Sequence, residues 1–246
     1  MITNAQLKHL QSLKLKKYRQ NYDEFIIEGD KLITEALLED VHLKLICATN
    51  QWISLHQHAI SSNIQVEEIT EKQLEKISNL TTPPPVIAIA KMETYSFDPK
   101  MVRNNWVIAL DEINDPGNLG TIIRSADWFG IKIILCSAHC VELYNPKVIQ
   151  ASMGSIFRVK LIYGDLQSLL LKSTVKKYAA TLSGKKINQM KFEEEGILVI
   201  GSESHGIGEK ILQLCDQEIT IPKKGKAESL NAAVATSVLL SKIMYG

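Results

Sequence analysis

Hydrophobic residues lie along this chain in short blocks with two kinds of spacing. Short apolar runs typical of strands occur at residues 25–27, 43–48, 66–69, 86–90, 106–110, 131–136, 159–162, 178–182, 197–200 and 219–221. Helical spacing predicts helices over residues 1–20, 30–38, 52–58, 70–80, 145–156 and 166–171, with two more ending near residues 129 and 240. This alternation predicts an α/β fold with a mostly parallel sheet covered on both faces.

A proline-rich break and a segment without apolar periodicity divide the pattern into two domains. Residues 1–92 form a small α/β unit whose last strand follows three prolines at positions 83–85. Residues 93–104 lack apolar spacing and contain Pro99, so we predict a linker there. Residues 105–246 then form the larger α/β domain.

The first twenty residues are basic and contain no acid. Their cations are Lys8, Lys14, Lys16, Lys17 and Arg19. Leucines at near-helical spacing predict one amphipathic helix with these charges on its outer face, and Tyr18 and Tyr22 follow closely. Such a face suits RNA phosphates and bases, although an ordinary solvated helix face has the same pattern.

Composition narrows the class of protein only a little. The hydrophobic fraction of 45%, the charged fraction of 22% and the net charge of +1 are typical of a soluble globular protein. No stretch resembles a signal peptide or a transmembrane helix, so we expect a cytoplasmic protein without membrane contact. Cys136, His139 and Cys140 form a cluster, but no second ligand pair at zinc spacing accompanies it. We therefore expect reduced thiols and no metal.

Three segments that follow predicted strands are rich in glycine and short polar residues. They span residues 114–124, 201–208 and 223–231. In a parallel sheet such segments meet beyond the carboxyl ends of the strands, where ligands bind. A Pro-Gly turn in the first segment predicts a tight path that brings Asn118 and Arg124 to one pocket rim.

The last segment leads into an almost uncharged helix. Ser229 and Asn231 stand at its start, where they fit either a helix cap or a polar site. The helix itself offers more apolar surface than one sheet face readily covers, which fits a subunit interface or complete burial within the fold.

Several common enzyme classes lack their motifs here. No Gly-x-Gly-x-x-Gly follows the first strand, and the chain has neither a Walker lysine motif nor a Gly-x-Ser-x-Gly elbow. These absences disfavour a dinucleotide-binding Rossmann domain, a P-loop protein and a serine hydrolase. His205 fits a general base or a structural residue in a glycine-rich turn.

The three segments also resemble a known family when they are taken together and in order. DPGNLGTIIRSADWFG (115–130), ILVIGSESHGIG (197–208) and ITIPKKGKAESLNAAVA (219–235) are similar to the three motifs of the SpoU branch of the SPOUT RNA methyltransferases. QASMGSIFRV (150–159) resembles the segment between the motifs. FIIEGDKLITEALL (25–38) and TPPPVIAIA (82–90) resemble the family's ribosomal-protein-like RNA-binding domain.

This resemblance implies a fold, a reaction and an assembly. The expected fold is an α/β sheet whose C-terminal chain forms a deep trefoil knot, although true knots are rare. The implied reaction is methylation of a ribose 2′-hydroxyl of ribosomal or transfer RNA by S-adenosylmethionine. A homodimer is implied, and no DNA partner is expected.

The resemblance also implies functional residues. It places S-adenosylmethionine against Gly201, Ile221 and Leu230, with Thr181 and Leu182 near its adenine. The family's functional polar positions correspond to Asn118, Arg124, Glu203, Ser229 and Asn231. Family members often have an apolar residue where Lys223 stands, which leaves the shape of that part of the cofactor wall open.

Three questions stay open at the level of sequence. Because a guanidinium stays protonated in proteins, we expect Arg124 to hold a phosphate and stabilise negative charge at the 2′-oxygen, and not to act as a base. Pairing with the nearby acids Asp111, Glu112 and Asp115 is the alternative. The group that accepts the hydroxyl proton is undetermined. A non-catalytic RNA-binding protein is the competing function, but such a protein need not keep the complete polar set present here.

Overall fold

The computed structural model describes residues 1–246, which form two compact units. The first comprises Met1–Glu93 and Tyr144–Phe157, and the second comprises Thr94–Leu143 and Arg158–Gly246. The helices are α1 (Asn4–Ser12), α2 (Lys16–Tyr22), α3 (Asp30–Leu38), α4 (Asn50–His56), α5 (Glu71–Ile77), α6 (Pro116–Trp128), α7 (Pro146–Ser152), α8 (Leu166–Leu171), α9 (Glu209–Leu212) and α10 (Ala232–Tyr245).

The strands coincide with the apolar runs of the sequence, with bounds that differ by a few residues. They are β1 (Glu24–Glu28), β2 (Leu43–Ala48), β3 (Gln65–Glu68), β4 (Val86–Lys91), β5 (Trp106–Asp111), β6 (Ile133–Ser137), β7 (Lys160–Gly164), β8 (Lys177–Lys186), β9 (Gly196–Gly201) and β10 (Gln217–Thr220). None of the helices is long and apolar enough to cross a membrane.

The first unit contains a mixed sheet in the order β1-β4-β2-β3. β4 pairs antiparallel with both β1 and β2, whereas β2 and β3 are parallel. Buried residues of the sheet pack with α1 and α5, and the core includes Leu10, Leu13, Leu74 and Ile77. The predicted capping box at Thr70 and Gln73 begins α5.

The single N-terminal helix predicted from the leucine spacing is wrong, because the chain turns between α1 and α2. Arg19 explains the turn: its guanidinium is buried and donates to the backbone oxygens of Leu13 and Lys14 at 2.9 and 2.8 Å. These carbonyls lie where α1 ends, so the arginine satisfies acceptors that a helix end leaves free. Arg19 is therefore structural, while Lys16 and Lys17 remain exposed.

The segment Tyr144–Phe157 packs in the first unit, although the sequence interpretation assigned it to the second domain. The Gln150 side-chain amide donates to the Glu28 carbonyl at 3.0 Å. The Tyr144 hydroxyl accepts from the Glu93 N–H and donates to the Glu93 carbonyl. The predicted helix over residues 145–156 ends at Ser152, because Met153 adopts a left-handed backbone conformation.

The second unit confirms the predicted parallel sheet. Six strands in the order β10-β8-β9-β5-β6-β7 pair in parallel throughout. Residues 94–103, expected to be a linker, supply Val102 to the buried core, with Tyr95, Phe97 and Met101 packed against it. The burial of these apolar side chains was not predicted, because their spacing follows neither the helical nor the strand period.

The start of α6 differs from the prediction. Pro116 and Gly117 are the first residues of the helix and not a loop turn, with Asp115 as the N-cap. Proline suits the first helical position because its missing N–H would have no partner there in any case. At the other end of the chain, α10 continues beyond residue 240 to Tyr245.

Candidate active site

A cavity of about 690 Å³ lies beyond the carboxyl ends of β8, β9 and β10. Its walls come from three parts of the chain: residues 180–182, residues 200–207, and residues 219–225 with 227–230, followed by Ala232, Ala235 and Leu239 of α10. All five residues expected to contact the cofactor line it, namely Thr181, Leu182, Gly201, Ile221 and Leu230. The structure therefore brings together residues that lie up to fifty positions apart in the sequence.

A change of register in β8 creates the first wall. Glu218 of β10 pairs with Ala179, but the next residue, Ile219, pairs with Lys185. Residues 180–184 therefore have no register partner and bow outward into the cavity wall. Gly184 makes the return possible, since a Cβ there would lie 2.4 Å from the Ile219 nitrogen.

The second wall is a tight turn after β9. Ser202 and Gly206 exchange backbone hydrogen bonds of 3.0 and 2.9 Å, and the Asp111 carboxylate accepts from the Gly208 N–H at 2.8 Å. Gly201 faces this turn so closely that a Cβ would lie 2.1 Å from the Gly206 carbonyl carbon. The glycine is thus required by the protein's own backbone, a constraint that the sequence interpretation did not foresee.

Three of the expected polar residues form one hydrogen-bonded network at the cavity. The Glu203 oxygen Oε1 accepts from the side-chain amides of Asn118 and Asn231 at 2.8 and 2.7 Å, and from the Ala232 N–H at 3.3 Å. The Asn231 amide also donates to Asn118 Oδ1 at 2.8 Å. Glu203 Oε2 has no partner in the protein, so one carboxylate oxygen is held firmly and the other is left available.

Asn231 also caps α10, which is one of the two roles that the sequence suggested for this residue. Its Oδ1 accepts from the N–H groups of Ala233 and Val234 at 3.0 and 3.3 Å, which fixes the side chain while its amide reaches Glu203. Ser229 lies just before the helix, exposed, on the lining of the same cavity.

Arg124 stands apart from this network. It is exposed on α6, lines neither this cavity nor the smaller one described below, and makes no ion pair with any acid. The expected common rim with Asn118 assumed a loop between the two residues. Because α6 already begins at Pro116, six residues rotate the side chain by about 240° around the helix and move it about 9 Å along the axis.

A smaller cavity of about 260 Å³ adjoins the network on another side. It is lined by Asn118 of the network, by Ser202, Glu203 and Ser204, which also line the larger cavity, and by Glu112, Ile113, Asn114 and Asp115. Asn114 and Asp115 belong to the first of the three segments predicted to meet at this edge of the sheet, whereas Glu112 and Ile113 were not predicted to line a site.

The two cysteines considered as metal ligands bond within the protein. The Cys140 thiol donates to the Leu110 carbonyl at 3.4 Å. A hydrogen bond from Cys136 lowers the pKa of Cys140 to about 7, with a smaller contribution from Ser137, whereas burial raises the pKa of Cys136 well above its usual value. His139 beside them is exposed.

The larger cavity fits a nucleoside-type cofactor. Its volume lies within the range of about 300–1,000 Å³ common for small-molecule sites. The Thr181 hydroxyl is buried there without a hydrogen-bond partner, an uncommon state that a ligand donor or acceptor relieves. Leu182 and Leu230 offer exposed apolar surface, at 76% and 47% exposure, beside the backbone groups of the walls. Fold and site together define an α/β protein with a cofactor cavity at the carboxyl edge of a parallel sheet.

Comparison with known proteins specifies the family. Residues 105–241 match the model of the SpoU rRNA Methylase family, and residues 4–88 match that of the MRM3-like substrate binding domain. The chain belongs to the SpoU rRNA methylase family. It is 29% identical, over 96% of its length and 95% of the relative's, to a 23S rRNA (guanosine(2553)-2′-O)-methyltransferase of Bacillus subtilis.

Solved structures agree with this assignment. A putative RNA methyltransferase of the TrmH family from Porphyromonas gingivalis is 33% identical, covers 98% of both chains and has a TM-score of 0.87. An AdoMet-bound rRNA methyltransferase from Sinorhizobium meliloti is 26% identical with a TM-score of 0.88, over 98% of this chain and 95% of that one.

Proposed function

We propose that this protein transfers a methyl group from S-adenosylmethionine to a ribose 2′-hydroxyl of ribosomal RNA. The observation that carries the proposal is the Asn118–Glu203–Asn231 network on the rim of a cavity fit for the cofactor. Family membership supports the reaction, and the B. subtilis relative supports ribosomal over transfer RNA.

The cavity holds the cofactor through the walls described above. Thr181 and Leu182 lie against the adenine, with the Thr181 hydroxyl taking a hydrogen bond from it, while Gly201, Ile221 and Leu230 contribute backbone groups and close contact. S-adenosylmethionine supplies an activated methyl group, and the reaction requires no metal. What the protein adds is placement of the acceptor, which supplies up to about 7–11 kcal/mol of the barrier for a well-aligned pair.

Glu203 aligns the acceptor oxygen in this proposal. Three donors hold Oε1, so Oε2 points its free lone pairs toward the ribose and accepts the hydrogen bond of the 2′-hydroxyl. With S-adenosylmethionine bound, the ribose oxygen would accept the methyl group from the sulfonium, which leaves as the neutral thioether, and Glu203 Oε2 would take the hydroxyl proton. Asn118, Asn231 and Ser229 hold the carboxylate and the ribose in place.

The proposal includes a homodimer formed through α6 and α10. These helices pack together, with the Ser125 and Ser237 hydroxyls 2.7 Å apart, and their outer side exposes Trp128 at 81%, Val234 at 49% and Tyr245 at 75%. Large apolar groups in such number on one side favour a subunit contact. Arg124 precedes Trp128 by one helical turn, so it lies at this contact. From there it reaches a phosphate at the partner's site, which explains its distance from the network in its own chain.

Three further parts of the proposal rest on family membership. The first part is a deep trefoil knot within residues 105–246, which is expected from the SPOUT fold. The second is a cytoplasmic location, which a bacterial ribosomal RNA methyltransferase among the relatives supports. Residues 1–92 bind substrate RNA, since residues 4–88 match a substrate binding domain. The exposed Lys16 and Lys17, with the stacked rings of Tyr18 and Tyr22 6.3 Å apart, suit that role.

Two measurements test the function. Calorimetry is expected to show binding of S-adenosylmethionine, which separates this protein from an RNA-binding protein without catalysis. Mapping 2′-O-methyl groups in ribosomal and transfer RNA, from cells with and without the gene, is expected to show one ribosomal position that depends on it. Unchanged maps together with no cofactor binding contradict the proposal.

A further inference from the structure

Five lysines surround the end of the sheet beside the larger cavity. Lys185 and Lys186 end β8, and Lys223, Lys224 and Lys226 lie in the loop after β10. All five are exposed. None forms an ion pair, and the one fixed contact among them is a 3.1 Å hydrogen bond from Lys223 Nζ to the Ala227 carbonyl. We refer to these five residues as the lysine rim.

The register of the sheet brings both groups of lysines to one place. Lys185 pairs with Ile219 and Lys186 with Thr220, so the two lysines lie about 4.8 Å from the last residues of β10. Lys223 follows Thr220 by three residues, which a fully extended chain spans in about 10 Å. With side chains of several ångströms, the five ammonium groups cover a region as wide as a few nucleotides of single-stranded RNA.

The lysine rim also borders the site where the acceptor ribose lies. Lys223 and Lys224 line the same cavity as Glu203, and the Thr220 hydroxyl donates to the Leu182 carbonyl of the adjacent strand. A ribose held at Glu203 carries a phosphate on each side, so the neighbouring phosphates must pass close to the cavity mouth. Lysines without an ion-pair partner at the cavity mouth can bind the negatively charged RNA backbone, and such contacts do not depend on the base sequence.

We propose that the lysine rim binds the phosphates of the RNA strand that flank the target nucleotide. The second unit then contributes RNA affinity of its own, in addition to residues 1–92. This inference rests on the proposed function, because it takes RNA as the substrate. A lysine ammonium is a compact point charge on a flexible side chain, which suits a phosphate backbone that is held by charge without a fixed two-pronged geometry.

The test uses full-length protein and removes charge in pairs. Lys224→Gln/Lys226→Gln and Lys185→Gln/Lys186→Gln each remove two charges from the rim. Lys132→Gln/Lys172→Gln is the matched control, since these exposed lysines precede β6 and β8 and therefore lie at the opposite edge of the sheet. Fluorescence anisotropy with a labelled 20-nucleotide oligouridylate gives the RNA affinity at several salt concentrations.

Each rim variant is expected to lose about 0.7 logarithmic units of affinity per phosphate contact at 0.1 M salt, or ~25-fold for two contacts. The slope of log affinity against log salt is expected to become shallower by about 1.4. The control is expected to change affinity less than two-fold. Rim variants that keep the wild-type affinity and slope overturn the proposal, as does a control that loses as much as they do.

Calorimetry with S-adenosylmethionine separates this inference from the proposed function. Unchanged cofactor affinity is expected in the Lys185→Gln/Lys186→Gln variant, whose residues line neither cavity, and a loss there equal to the RNA effect assigns these lysines to the cofactor carboxylate, which overturns the inference. Displacement of the oligouridylate by polyglutamate at equal charge assigns the rim to an acidic protein segment and also overturns it. A wild-type protein that binds RNA through the rim but binds no cofactor refutes the proposed function alone.

Discussion

Asn231 has two roles that one substitution separates. Its Oδ1 caps α10, while its amide donates to Glu203 and to Asn118. Asn231→Ser keeps a capping oxygen and removes the amide, whereas Asn231→Ala removes both. We therefore expect the serine variant to retain the stability of the wild type within about 0.5 kcal/mol, and the alanine variant to lose about 1 kcal/mol.

The effect on catalysis is expected to be the same in both variants. A hydrogen bond to a charged partner contributes about 1.5–3 kcal/mol, and the lower value applies because this network is exposed to solvent. A loss near 1.4 kcal/mol corresponds to a tenfold lower rate. Single-turnover methylation is expected to fall ~10-fold, because Glu203 loses one of the donors that hold it.

Urea unfolding measures the stability and radioactive methyl transfer measures the rate. Asn145→Ser is the matched control, since Asn145 caps α7 through a 2.9 Å bond to the Lys147 N–H and lies outside the site. That variant is expected to methylate at the wild-type rate. A serine variant of Asn231 that is fully active would show that the amide has no part in positioning Glu203.

Three further outcomes are expected. Arg124→Ala lowers single-turnover methylation by ~100-fold with little change in cofactor affinity, and Arg124→Lys recovers part of the rate; a fully active alanine variant removes Arg124 from the mechanism. Gly201→Ala abolishes cofactor binding in calorimetry because its Cβ meets backbone at 2.1 Å, whereas Gly164→Ala, which lies outside the cavity and whose Cβ meets the Leu169 side chain at 3.4 Å, leaves binding intact; equal behaviour of the two contradicts the argument. Val234→Asp/Val238→Asp converts a dimer to a 27.5 kDa monomer in light scattering, and a wild-type monomer at micromolar concentration refutes the interface.

The strands were the most predictable part of the fold. Runs such as residues 106–110 are apolar throughout because a parallel strand is buried on both faces, and that signal is readable in the sequence of the strand alone. The break between α1 and α2 was not predictable, because it depends on a contact between Arg19 and two carbonyls that no local propensity encodes. α9, with four residues, is too short for a periodic signal.

The candidate site was predictable in its membership but not in its geometry. The polar segments after strands, together with the family resemblance, pointed to Asn118, Glu203 and Asn231, and these three form one network. The contacts that Asn118 makes depend on where α6 begins. Pro116 was predicted to lie in a turn, but it is the first residue of the helix. The same error led to the prediction that Arg124 lies on the cavity rim with Asn118, whereas in the structure it lines neither cavity. The constraint on Gly201 comes from the facing turn, which has no counterpart in local sequence.

The outer strands of both sheets bear on how the protein resists aggregation. An edge strand exposes unpaired amide and carbonyl groups, to which strands of other molecules add. β10 offers only four residues, and Pro222, which has no N–H, follows closely. In the smaller sheet the edge strand β3 carries Glu67 and Glu68, so a strand added there would approach carboxylates. Addition of a further strand is therefore disfavoured at the edges that β10 and β3 form.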